Sequence, residues 1–157
     1  MRAKAHLLFL VWLAIPVCIS TAMAQTRDVA VVINSDNPAT KLSRADLRKI
    51  FAGEKRSWPA GLPIKLFVRV PGTHEREMLL KLLGMTEGEY RRYWTSQVLR
   101  GEAQAEPIAL PSNGMQREAI VLYPGAIALV DAQDIKPGMK VIRVEGCMPG
   151  DDGYPLR

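Results

Sequence analysis

The densest chemistry in the chain lies in five consecutive residues, Arg69-Val70-Pro71-Gly72-Thr73. A strand-like run ends on a guanidinium, glycine lets the backbone turn closely, and a hydroxyl residue stands where a helix can open. Free backbone N–H groups and the positive end of a helix dipole would then point at one spot, which suits an oxyanion. Arg69 can add a bidentate, charge-assisted clamp. Arg69, Gly72 and Thr73 are therefore the candidate ligand-binding residues. The competing reading is a well-capped helix and nothing more, because strand, turn and capped helix recur throughout α/β domains. Glu75 and Glu77 favour it: in the first turn they would repel an anion while being stabilised by the dipole themselves.

His74 adjoins the junction and could pair with Glu75 in acid–base work. No suitable nucleophile stands beside them, so an exposed histidine at a helix start is the preferred reading and no catalytic residue is assigned. Outside the first 24 residues the chain has one histidine, His74, and one cysteine, Cys147. That is too few for the usual zinc site, and neither metal nor cofactor is expected. Cys147 has no partner for an internal disulfide; it is read as an inert residue near a mobile C-terminal tail, with a free thiol or an interchain bond as alternatives.

The elements that must position these groups follow from periodicity and punctuation. Ala30 to Ile33 is a β-branched strand run ending in turn residues, and Ile64 to Val70 alternates as a second strand leading to Arg69. Ser43 with Asp46 opens a helix carrying Leu47, Ile50 and Phe51, stopped by Gly53; Thr73 caps a second, closed by Gly84. Thr86 and Glu89 form a capping box for a third helix, whose Tyr90, Tyr93 and Trp94 are read as core. A polar stretch then leads to Pro107 and Pro111, a fourth helix spans Ser112 to Tyr123, and Ala126–Val130 and Met139–Val144 are two further strands. From Glu145 the chain is read as a loop or extended arm without a core face. Strands alternating with helices imply an α/β fold with a largely parallel sheet.

At the N-terminus, Arg2 and Lys4 precede an apolar run from Leu7 to Ile19 and then Ala22-Met23-Ala24, the three-part form of an export signal over residues 1–24. A retained anchor is disfavoured by Pro16 and by a run shorter than the roughly 20 residues a span needs. Lipidation at Cys18 is disfavoured by Val17 before it. Residues 25–157 are then read as one domain of about 130 residues, without a stable membrane anchor. The net charge of +5 for the whole chain falls to about +3 without the signal, too mild to suggest nucleic acid.

Several segments in order resemble the phosphate-type solute-binding proteins of ABC transporters: Leu42 through Gly53, Trp58-Pro59-Ala60-Gly61 with Pro63-Ile64, then Arg69 with Gly72-Thr73. Pro124-Gly125-Ala126-Ile127-Ala128 resembles that family's segment before a buried strand. Gly153 to Arg157 resembles the stretch by which its chain re-enters the other lobe. The resemblance spans Val29 to Arg157 and implies the second lobe only of a type 2 periplasmic-binding-protein-like fold, with a mostly parallel central sheet flanked by helices. It further implies a periplasmic or secreted location, a phosphate or related small oxyanion as ligand, an ABC permease or another protein as partner, and no cofactor. At the anion-binding turn the family runs Arg, two residues, Gly, Ser or Thr, Gly, Thr. Arg69, Gly72 and Thr73 carry over, whereas His74 and Glu75 replace the last two positions and do not.

Half a cleft leaves an anion in contact with water, and a second chain would restore the enclosure. The alternative is a single-lobe interaction or accessory protein that has lost its ligand and meets a partner through the uncovered surface. Mass spectrometry of the exported protein is expected to give Gln25 as the mature N-terminus; any other first residue refutes that cleavage assignment.

Overall fold

In the computed structural model, which describes residues 27–157, two apolar strands lie side by side: β1 (Val29–Asn34) and β5 (Ala126–Asp131). The segment read as an export signal lies outside the described residues. The two strands pair antiparallel, with Val29 opposite Asp131 and Ile33 opposite Ile127, and every residue of both is buried. A strand covered on both faces needs apolar side chains at odd and even positions alike. Accordingly Val29, Val31, Ile33, Ile127 and Leu129 enter one hydrophobic cluster, and Ala30, Val32, Ala126, Ala128 and Val130 the other.

On one side of this pair β3 (Lys65–Arg69) runs parallel to β5, and β4 (Ile108–Leu110) runs parallel to β3. On the other side β6 (Met139–Val141) is antiparallel to β1, giving the order β4-β3-β5-β1-β6. Four strands thus share one direction and β1 alone opposes them. The sheet is mixed: two pairings are parallel and the two made by β1 are antiparallel, with the reversed strand inside rather than at an edge.

Helices α1 (Arg44–Phe51), α2 (His74–Leu83) and α3 (Glu87–Leu99) contribute to the larger cluster, and α4 (Asn113–Leu122) covers the other face. Each begins where a side chain can satisfy an orphan N–H: Ser43, Thr73, Thr86 and Ser112 accept from the backbone N of Asp46, Arg76, Glu89 and Met115. The capping box at Thr86 and Glu89 is formed in both directions. Among the described residues no helix is long and apolar enough to cross a membrane.

Three expectations are corrected. The approach to Pro111 contains a strand, β4, too short and too exposed to show an alternating pattern. The run Met139–Val144 is two strands: at the buried Ile142 the chain leaves β1, and β7 (Arg143–Val144) pairs instead with β2 (Lys41–Leu42). The C-terminal tail is neither coreless nor loose. Tyr154 and Leu156 are buried in the main cluster, the Tyr154 hydroxyl donates to the Val29 carbonyl at 2.9 Å, and Val29 N donates to the Leu156 carbonyl at 2.9 Å. Arg157 adds an ion pair to the buried Asp28 at 3.2 Å. Leu156 is 1% exposed, so Leu156→Ala is expected to cost about 2–4 kcal/mol, read from the denaturant midpoint of unfolding; a tail that merely rests on the surface would show almost no change.

Candidate functional site

Parallel strands deliver their carboxyl ends to one edge of the sheet, the usual position for a ligand in an open α/β fold. Here that edge receives Arg69 from β3, Leu110 from β4 and Asp131 from β5. Between β3 and α2 the chain turns through Gly72, whose φ of 85° is a region that favours glycine. The three residues singled out from the sequence are therefore contiguous at the strand-to-helix junction.

Their geometry differs from an open clamp. The Arg69 side chain is 10% exposed; its Nη1 donates to the Leu110 carbonyl at 3.2 Å. Its Nε lies 3.8 Å from Oε1 of Glu75, whose side chain is 7% exposed. That separation is within Coulombic reach but outside hydrogen-bond range, and the buried Nε has no hydrogen-bond partner among the described residues. The guanidinium thus faces the first turn of α2, where it meets a carboxylate of its own chain.

Thr73 is committed to the turn. Its hydroxyl donates to the Val70 carbonyl at 3.0 Å and accepts from Arg76 N at 3.4 Å. One N–H of the first turn is thereby satisfied, and Glu77 N is taken by the Thr73 carbonyl. The N–H groups of His74 and Glu75 have no acceptor among the described residues and remain for an outside acceptor.

His74 and Asp131 belong to the same edge. His74 Nδ1 lies 3.7 Å from the Asp131 carboxylate, which Arg27 Nε also approaches at 3.2 Å. Asp131 is buried, and its other oxygen accepts from Gln133 N at 3.1 Å. His74 is one-third exposed, so it is not the freely exposed residue anticipated. Sequence reasoning missed Asp131 and Arg27. The available signal was a carboxylate closing an apolar strand, at the end that a parallel pairing with β3 brings beside Arg69.

Helix α2 is held in place from its far side. Arg76, only 6% exposed at its side chain, donates Nε and Nη2 to the two oxygens of Glu87 at 3.0 and 2.7 Å and stacks 3.9 Å from the Tyr90 ring. Those hydrogen bonds hold the Glu87 carboxyl below its ordinary range, and burial pushes the Tyr90 hydroxyl up to about 12. Among the described residues no group of histidine, cysteine and carboxylate side chains could hold a metal ion.

Concave surface is present away from this edge. A cleft of about 460 Å³ at the opposite, amino-terminal ends of β3 and β4 is lined by Ile50, Leu66, Trp94 and Ile108 among others. Shallower hollows of about 470 and 430 Å³ lie on α3 around Arg92 and Ser96.

Residues 22–146 match the family described as PBP superfamily domain. No curated protein matches the chain. Among solved structures, the chain is similar to an ABC-type phosphate transport receptor from Vibrio cholerae, with 21% identity and a TM-score of 0.63 over 78% of this chain and 48% of that one. A protein from Clostridium perfringens, described as a phosphate ABC transporter substrate-binding protein and solved with bound phosphate, gives 15% identity and a TM-score of 0.67 over 83% and 52%. PstS from Borrelia burgdorferi gives 18% and 0.58 over 78% and 49%. At these identities the likeness establishes the fold, and the chain spans about half the length of the structures it matches.

Thr73→Ala removes both the cap and the tie to Val70, and is expected to cost about 1–2 kcal/mol in thermal or denaturant unfolding. Thr73→Ser keeps the oxygen and should recover most of it; equal losses in the two variants would contradict the capping role.

Proposed function

The chain belongs to the PBP superfamily, and from that premise we propose that it is a solute-binding-type module acting outside the cytoplasm on a small oxyanion of the phosphate class. Its chemistry is recognition, not catalysis. Arg69 supplies the fixed positive charge, Gly72 the turn that leaves the junction open to a ligand, and Thr73 the cap that orients the N–H groups of His74 and Glu75. The observation that carries this reading is the Arg69 side chain itself: nine-tenths buried, unpaired at Nε, and aimed at a helix start. Glu75 balances its charge from 3.8 Å without satisfying Nε; a buried donor left unbonded is costly, and a helix N-terminus favours an anionic acceptor at that spot.

The described residues offer one wall of a cleft, so an anion bound to them alone keeps much of its hydration and affinity is modest. A second copy or another protein would close the other wall, and an ABC-type permease is the partner that receives the ligand from such modules. Calorimetric titration of the mature protein with phosphate and with sulfate tests the site. We expect saturable binding at about millimolar concentration, equivalent to roughly −4 kcal/mol, and its loss in Arg69→Ala. Absence of heat at tens of millimolar anion, or unchanged binding in the variant, overturns the assignment.

A further inference from the structure

Two arginines on or beside α2 are buried to a similar depth, yet they are compensated differently. Arg76 makes two hydrogen bonds to Glu87. Arg69 makes one, to a neutral carbonyl, while its charge is balanced by a Glu75 carboxylate too distant to bond. Glu75 receives no hydrogen bond from any side chain among the described residues, although the residue is 6% exposed. What holds it inward is the Coulombic pull of Arg69 and the dipole of its own helix. A carboxylate retained without directional bonds can be exchanged for another anion at little cost in broken contacts.

From this juxtaposition we propose that Glu75 is an internal counter-anion, standing where an oxyanion would meet Arg69, so that ligand binding requires its carboxylate to be displaced. Glu75 is then the residue that sets affinity at this junction. The inference rests on the oxyanion reading of the same site. It also concerns contact rather than general charge, because Glu77 stands in the same turn, is exposed, and has no ion pair with Arg69. The other polar groups near the junction, His74 and Arg27, both lie against the Asp131 carboxylate, at 3.7 and 3.2 Å.

The test titrates wild type, Glu75→Gln, Glu77→Gln and the double variant Arg69→Ala/Glu75→Gln with inorganic phosphate at constant ionic strength. Glu75→Gln is expected to bind about tenfold tighter or better, Glu77→Gln within about twofold of wild type, and the double variant to bind nothing. A wild type that binds phosphate with Glu75→Gln no tighter overturns the inference and leaves the oxyanion reading standing. Binding by Glu75→Gln alone supports the inference and overturns the reading for the wild type. No binding by either folded protein overturns both, and equal tightening by Glu77→Gln reduces Glu75 to a background charge. Should Glu75→Gln fail to fold because Arg69 is left uncompensated, circular dichroism with added phosphate against chloride at matched ionic strength decides. Recovery in phosphate alone supports the proposal, and an unfolded chain in both overturns it.

Discussion

The antiparallel pairing of β1 with β5 is the constraint from which the rest of the structure is built. Both strands are buried along their whole length, so each must be covered above and below, and the helices divide accordingly. The small side chains Ala30, Ala126 and Ala128 face α4, while Ile33, Ile127 and Leu129 face the larger cluster. Gly125 begins this arrangement. A Cβ there would lie 1.9 Å from the Pro63 carbonyl, and its own carbonyl accepts from Trp58 Nε1 at 3.0 Å and Lys65 N at 3.0 Å. The tryptophan loop and the start of β3 are thus pinned to the start of β5, which places the far ends of both strands together.

At those far ends the electrostatics diverge from packing. A buried ion pair is worth little beyond the cost of desolvating it unless the geometry is good. Arg76 and Glu87 meet that condition and serve to dock α3 against α2. Arg69 and Glu75 do not: their separation leaves a buried donor unpaired, a condition stable folds generally avoid. The contrast within a few residues of one helix separates Arg76, bonded twice to a carboxylate, from Arg69, whose Nε is left without an acceptor among the described residues.

The C-terminal tail gives the domain its closure. Tyr154, Leu156 and Arg157 lie along the start of β1 through a side-chain hydrogen bond, a backbone hydrogen bond and an ion pair to Asp28. Asp28 also accepts from Gly150 N at 2.6 Å. The two ends of the described chain are therefore joined beside the strand that every layer depends on.

The sequence by itself determined the helices, their starts and the apolar runs that become the central strands. Those features arise from residues three or four apart on a helix or two apart on a strand, as with Ser43 and Asp46 or Thr86 and Glu89. It also located Arg69, Gly72 and Thr73 at one junction, because they are adjacent in the chain. Only the tertiary structure decided what Arg69 faces, that Asp131 stands beside His74, that the strand after Met139 changes partner at Ile142, and that the Gly- and Pro-rich tail is anchored in the core. Each of these is a contact between side chains or strands brought together by packing, and local spacing carries no record of which distant partner a group will meet.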